Sequence, residues 1–427
     1  MGGEGAAVRT AEEKSQSCPE CGAEIRTGGR FVIWCSNCDW NVDPETPQQE
    51  RDQLDKARRA LARRHGEKLL AEVMDGGSLR ARRDASSLLA FVIALLVHGV
   101  TVALTFGGVW LLVHGWGPGI VLGVIVLAIA WFLRPRLGRL PDEGPVLRRS
   151  DAPELYALVD EVARVVGTRG VDLIMPDTKF NAGVTTCGVR GRRLLVLGLP
   201  LWEILTPQQR VALLGHELAH YSNGDTRHGL VVGTAYRSLA TWRYAFLPVR
   251  NPSPLEMAAN LLCIAPRLLV LGLLTLLDHL TLRATQRAEY LADRGAARVA
   301  STEAAVGLMD RFLVSDSAVL ALQREANQAA LAGARGSRTA RAGAEALWER
   351  LRAHMASIPE YEYERQRRVG ARRGHSVDST HPPTHLRRSC LLAGQSAPAA
   401  VVMDGGRERR IAAELADVRV KVAQHIV

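Results

Sequence analysis

Two histidines four apart, with a glutamate after the first, stand in the run "VALLGHELAHYSNGD", Val211 to Asp225. On an α-helix that spacing puts both side chains on one face, so His216 and His220 can aim two imidazoles at one ion. Glu217 lies next to the first imidazole and can reach a water on such an ion without binding the ion itself. That water loses much of its proton affinity, and a carboxylate at hand can take the proton as it attacks a carbonyl. Ala219 is small and leaves room beside the ion. Thr206 and Pro207 offer an N-cap and a first helical residue for this helix, and Gly224-Asp225 stops it.

A catalytic zinc takes three protein ligands and keeps one position open. The metzincin pattern would put a third His at position 226 and Gly at 223; Thr226 and Asn223 exclude it. The third ligand must therefore come from another element, and "RATQRAEYLADRGAARVA" offers one. Glu289 and Asp293 share one helical face, with Ala288 and Ala292 permitting close approach to the first helix. Glu289 can bind zinc, while Asp293 can accept a hydrogen bond from a ligand histidine and fix its tautomer. An exposed acidic pair is the plainer explanation of these two residues, but their conjunction with the His-Glu-x-x-His helix favours a metal.

A second cluster lies near the N-terminus, in "SCPECGAEIRTGGRFVIWCSNCDW". Cys18 and Cys21 form one Cys-x-x-Cys pair and Cys35 and Cys38 another, with a short apolar stretch, Phe31 to Trp34, expected as a strand between. Four thiolates can close around one tetrahedral ion, and the arrangement resembles a zinc ribbon. No signal peptide is visible in the polar first forty residues, which favours a reducing compartment and metal ligation over disulfides.

Other segments must position these groups. Charges vanish between Asp84 and Arg134, leaving an apolar block too long for one membrane span and long enough for two. "HGWGPG", His114 to Gly119, supplies a turn, and Trp110, Trp116 and Trp131 suit the interfaces. Arg80, Arg82 and Arg83 precede the block and Arg134, Arg136, Arg139, Arg148 and Arg149 follow it, while the turn has no Lys or Arg. By the positive-inside rule both ends face the cytoplasm.

The sequence thus divides into a ribbon (1–45), a charged helical linker (46–84), a transmembrane hairpin (85–134) and a catalytic region (135–427). In the last, "DAPELYALVDEVARVVG" reads as a helix with an Asp cap, and "VDLIMPD" and "RRLLVLGLPL" read as strands around "TKFNAGVTTCG". Two further apolar stretches, 229–247 and 255–283, carry Arg237 and Arg243, and Arg267 and Asp278; either fits a membrane helix facing a polar interior or a buried helix. Beyond Ser301 the chain reads as helical. The fold class is mainly α with a small β-sheet (α+β). The charge of +10, from 54 basic and 44 acidic residues, suits an anionic lipid surface or nucleic acid. The scarcity of aromatic residues among the basic runs argues against nucleic acid.

Taken together, "GHELAHYSNGD", "EYLADRGAA", the hairpin, "FNAGVTT" and "STHPPTHLR" resemble the HtpX-like integral-membrane zinc metalloproteases, which are related to the CAAX prenyl endopeptidases. The likeness runs from about Arg80 to Arg388, leaving the ribbon outside. It implies a zincin-type domain with His216, His220 and Glu289 as zinc ligands, Glu217 as general base and Asp293 behind the ligands. It also implies that His381, with Arg387 nearby, stabilises the transition-state oxyanion, and that Asn181 and Ala182 precede an edge strand that pairs with an extended substrate. The expectation is a multi-pass membrane zinc endopeptidase with its N-terminus and site in the cytoplasm. It would carry one catalytic and one structural zinc and act on membrane or misfolded proteins, with the ribbon's partner unknown. A prenyl-peptide processing enzyme would share the site but need a large lipid chamber, which few membrane helices argue against. A non-catalytic membrane adaptor, binding a protein or nucleic acid through its ribbon, would not need the complete set of His216, Glu217, His220 and Glu289.

Overall fold

The computed structural model describes residues 14–27, 31–44, 64, 66–72, 74–75, 85–135, 144–188, 191–222, 226–249, 251–332, 340–374 and 381–426. Most of the linker expected over 46–84, and the Asn223 to Asp225 end of the histidine helix, lie outside these residues. Helix predominates, with two small sheets.

The apolar block forms a long helix, α1 (Ala85–His114), and a shorter one, α2 (Pro118–Leu133), turning where expected. The arms are unequal: at about 1.5 Å per residue α2 is about 24 Å long, under the roughly 30 Å of a hydrocarbon core. The stretch at 229–247 falls in α6 (Thr226–Ala245). The stretch at 255–283 is divided between a short helix, α7 (Pro254–Leu262), and α8 (Ile264–Ala300), which continues far past it.

These helices assemble. Ala90, Ile93, Ala94 and Val97 of α1, Ala235, Leu239 and Trp242 of α6, and Val270, Leu274 and Leu277 of α8 make one buried cluster. Outside it, Leu96, Phe106, Val113, Trp116, Trp131, Leu255, Leu262 and Leu269 are exposed, a far larger apolar surface than a soluble monomer carries. Among the described residues, two helical segments, Ala85–His114 and Ile264–Leu282, are long and apolar enough to cross a membrane.

The remaining elements pack around a separate core. α3 (Pro153–Val166) buries Leu155, Tyr156, Leu158, Val159, Val162 and Val166, the spacing of a single helical face. Asp151 does not cap it: its carboxylate accepts from Arg148 N–H within its own turn. The first free amides of α3, at Glu154 and Leu155, donate instead to the two carboxylate oxygens of Glu414, 2.7 and 3.0 Å away.

β3 (Leu173–Asp177), β4 (Ala182–Cys187) and β5 (Arg192–Gly198) form a sheet in the order β3-β5-β4, β5 parallel to β3 and antiparallel to β4. The strand expected over "RRLLVLGLPL" ends at Gly198; Leu199 to Ile204 form a short helix, α4. Next come α5 (Pro207–Ser222), then after the bundle α9 (Thr302–Leu313), α10 (Ser315–Ala332), α11 (Ala340–Ala356), α12 (Glu360–Arg373) and α13 (Thr384–Ala393). α14 (Gly405–Glu414) and α15 (Ala416–Ile426) close the fold; α14 packs on α3, and α15 on α11.

The N-terminal module holds a two-stranded hairpin, β1 (Lys14–Ser17) with β2 (Glu24–Thr27). Phe31 to Trp34 is not a strand, since among the described residues no segment pairs with it; Trp34 packs instead with Val42, Val369 and Tyr361.

Candidate metal centre and its supports

α5 begins as its sequence indicates: Thr206 Oγ1 accepts from Gln209 N–H and Gln209 Oε1 accepts from Thr206 N–H, a reciprocal cap. Its third turn carries His216 and Glu217, both buried, and its fourth carries His220, partly open. The two imidazoles meet edge to face, with Nε2 atoms 3.3 Å apart.

α8 crosses α5 at very short range. A Cβ on Gly295 would stand 2.8 Å from Ala219 Cβ, and one on Gly215 would stand 3.1 Å from the backbone of Ala296. Ala219 therefore serves the helix crossing. The close crossing brings Glu289 Oε2 to 3.4 Å from His216 Nε2, and Glu289 Oε1 to 3.5 Å from His220 Nε2. His381, just before α13, enters from a third direction, its Nε2 3.4 Å from Glu289 Oε2.

Behind His216 stands Asp293, its Oδ1 3.0 Å from His216 Nδ1. Arg387 of α13 donates to both oxygens of Asp293, at 2.8 and 2.6 Å. Thus Asp293 holds His216 by the ring nitrogen away from Glu289, while Arg387, whose Nη2 also stands 3.6 Å from Glu289 Oε2, fixes Asp293.

The electrostatics follow. Burial alone would lower the pKa of His216, but the carboxylates of Asp293 and Glu289 facing its two nitrogens win and raise it to about 10. Burial and the neighbouring His216 lower His220 to about 4. Burial works against the charge on Asp293, yet the Arg387 guanidinium holds it down at about 2; Glu289 is likewise held well below the ordinary range, against burial, by His216 and Arg387. Burial pushes Glu217 up.

Does this cluster suit a metal? Glu289 Oε2 is buried, faces two imidazole nitrogens and stands 3.6 Å from Arg387 Nη2, an ion pair too long for a hydrogen bond, and it accepts no hydrogen bond. A buried carboxylate oxygen without a hydrogen bond costs folding energy, which a cation bound directly to it offsets. Imidazole and carboxylate are ordinary zinc donors, so His216, His220 and Glu289 can hold such an ion; His216, Glu289 and His381 also lie within one ion's reach.

The expected substrate segment adjoins the cluster. Asn181 precedes β4, its Oδ1 accepting from Ala182 N–H, and β4 is a sheet edge among the described residues. Tyr221, next to His220, donates to Thr185 O of β4 at 2.7 Å. Three supports were not foreseen. The Gly215/Gly295 crossing had only small residues as a signal, and the Tyr221 tie had none. Third, Leu69 in the helical residues 66–72 packs with Tyr290, Leu386 and Cys390, while Tyr290 donates to Gly66 O. The described piece of the charged linker thus backs the cluster.

The second cluster is equally compact. Cys18 Sγ is 3.6 Å from Cys38 Sγ and Cys21 Sγ 3.6 Å from Cys35 Sγ, with no disulfide. Zn–S bonds of about 2.3 Å in a tetrahedron put sulfurs roughly 3.8 Å apart, so these thiolates fit one zinc.

A mostly helical domain in which a His-Glu-x-x-His helix crosses a helix bearing Glu and Asp has the plan of an HtpX-like, zincin-type metallopeptidase. Residues 149–393 match the model of peptidase family M48, more than half of the chain, and the chain belongs to that family. It is 25% identical over 152 residues to a "Protease HtpX homolog" of Thermoplasma volcanium, covering 34% of this chain and 49% of the relative. To a protein of the same name from Syntrophobacter fumaroxidans it is 25% identical over 189 residues, 42% of this chain and 65% of the relative. To "Protease HtpX homolog 1" of Sulfurisphaera tokodaii it is 34% identical over 80 residues, 18% of this chain and 25% of the relative. The chain spans about half the length of the curated relatives it matches. No solved structure matches it.

Proposed function

We propose that this protein is a multi-pass membrane zinc endopeptidase whose ribbon and active site face the cytoplasm, cleaving membrane or misfolded proteins. The observation that carries the reading is the convergence of His216, His220 and the unsatisfied Glu289 oxygen beside buried Glu217. The family and the relatives' names support a metallopeptidase, and the arginines flanking an apolar hairpin support the orientation.

A zinc ion held by His216, His220 and Glu289 supplies Lewis acidity and makes water a stronger nucleophile. Glu217 accepts a proton from the attacking water and delivers it to the departing amine nitrogen; its raised pKa suits it to both steps. His381 donates a hydrogen bond to the carbonyl oxygen as negative charge develops there. Asp293 and Arg387 keep His216 in one orientation throughout.

Substrate lies along β4. Gly198 N–H donates to Asn181 O, so residues 181, 183, 185 and 187 exchange bonds with β5. Ala182 C=O and both polar groups of Val184 and Thr186 are then directed to the free edge. An extended chain added there binds through its backbone, which tolerates varied side chains.

The test is to purify wild type and Glu217→Gln, measure zinc, and assay both on unfolded casein. About two zinc ions per chain and cleavage by wild type alone are expected. Equal cleavage by both, or none from fully loaded wild type, would overturn the reading.

A further inference from the structure

The ribbon lies outside the residues that match the family, yet it is not a detached module. It sits on α12, and the contact has a definite chemistry. Arg365 donates to Val42 O at 2.9 Å, and Arg368 to Ser36 O at 2.7 Å. Asp39 accepts from Arg368 at 2.5 Å and from Arg372 at 2.8 Å, and Asp43 pairs with Arg373. Between these polar contacts Trp34 and Val42 pack on Val369 and Tyr361, with the Arg368 guanidinium over the Trp34 ring. Arg365, Arg368 and Arg372 recur at helical spacing, so one face of α12 is dedicated to the ribbon.

The ribbon's own sequence carries the same imprint. Its two metal-binding turns are built alike: Gly22 N–H donates to Cys18 O, and Asp39 N–H donates to Cys35 O. The residue after the second cysteine has positive φ in both turns, 74° at Gly22 and 59° at Asp39. Glycine is the unstrained choice there. The second turn instead holds an aspartate, whose carboxylate is spent on Arg368 and Arg372 and is held below its usual pKa by them.

α12 leads on to the candidate metal centre. Its Arg367 grips Asp310 of α9 at 3.0 and 2.8 Å, and Arg388 of α13 donates to the same carboxylate at 2.9 Å. Arg388 adjoins Arg387, which holds Asp293, and His381 stands just ahead of α13. Ribbon, α12, Asp310 and α13 thus form one contiguous series of contacts.

We propose that the ribbon acts in cis: its partner is the arginine face of α12, and metal on its four thiolates keeps α12 and α13 seated. Four thiolates without an ion cannot hold two loops in register, so losing that metal releases Asp39 and Asp43 from the arginines. α12 then loosens, and His381 and Arg387 lose their placement. Only this last consequence rests on the zinc-centre reading above.

The test is hydrogen–deuterium exchange on the full chain in detergent, in a Glu217→Gln background so that no proteolysis is needed. Cys21→Ser removes the ribbon's metal. Asp39→Gly removes the carboxylate while giving the turn the residue its twin already has, so zinc stays bound. Both variants are expected to speed amide exchange in Glu360–Arg373 and Thr384–Ala393 by about 10-fold, leaving Pro153–Val166 unchanged. Unaltered α12 exchange in Cys21→Ser, once its ribbon zinc is shown lost, would overturn the proposal. So would α12 loosening without α13, or loss of ribbon zinc from Asp39→Gly. Because the readout is exchange in a variant lacking Glu217, it is independent of whether the protein hydrolyses peptides.

Discussion

Arg387 closes on Asp293 with two charge-assisted hydrogen bonds, and each side chain is only 1% exposed. The pair is separated by ninety-four positions in the sequence and fixes the imidazole that faces Glu289. Removing one partner leaves the other charged and buried, which typically costs about 3–5 kcal/mol. Arg387→Met should therefore lower thermal stability sharply and weaken zinc binding by about 10- to 100-fold. Arg387→Met with Asp293→Leu should recover much of the stability but not the zinc affinity. Thermal unfolding and competitive zinc titration check both; additive stability losses would contradict the pairing.

The crossing of α5 and α8 tolerates no added methyl group. Gly295→Ala brings a Cβ against Ala219, and overpacking of that kind costs about 1–3 kcal/mol. The expected result is a lower unfolding midpoint and weaker zinc retention, because the helices bearing Glu289 and His216 are forced apart. Gly272→Ala, on the same helix with open space around it, is the control and should retain zinc normally.

Val184→Pro tests the substrate edge. The Val184 N–H is directed away from β5, so proline there leaves the sheet paired and deletes one donor from the free edge. Loss of a hydrogen bond worth about 0.5–1.5 kcal/mol predicts a rise in KM for unfolded polypeptide of about 2- to 10-fold, with zinc content unchanged. A fall in kcat alone would argue that substrate does not lie along β4.

Glu414→Ala should uncap α3 from a distance. The two amides it satisfies lie at the start of a helix whose face fills the core, so a cost of about 1–2 kcal/mol is expected. The variant's unfolding midpoint, compared with Arg409→Ala at an exposed position on the same helix, gives the measurement.

The parts legible in the sequence are those whose chemistry repeats within one element. His216 and His220, Glu289 and Asp293, and the paired cysteines all reveal themselves through local spacing. The apolar hairpin is equally local. Contacts between distant segments leave no such trace: nothing near Asp39 announces Arg368, and nothing near Pro153 announces Glu414. Local signals can also mislead. Asp151 looks like a helix cap, but its carboxylate accepts from Arg148 N–H within its own turn, and Ala152 occupies the cap position. Arg267 and Asp278 interrupt hydropathy along 255–283, but they do not interrupt a helix, so α8 runs unbroken from its apolar half to the half that carries Glu289 and Asp293.

That continuity sets a distance. Leu282 ends the segment apolar enough for the bilayer, and Glu289 follows on the same rigid rod. Seven residues of helix rise about 10 Å. With Ile264–Leu282 in the bilayer, as proposed above, the centre stands at a fixed height above the lipid, on a gantry rather than a tether. A polypeptide would then be presented to it by how close its chain runs to the bilayer surface as much as by its side chains.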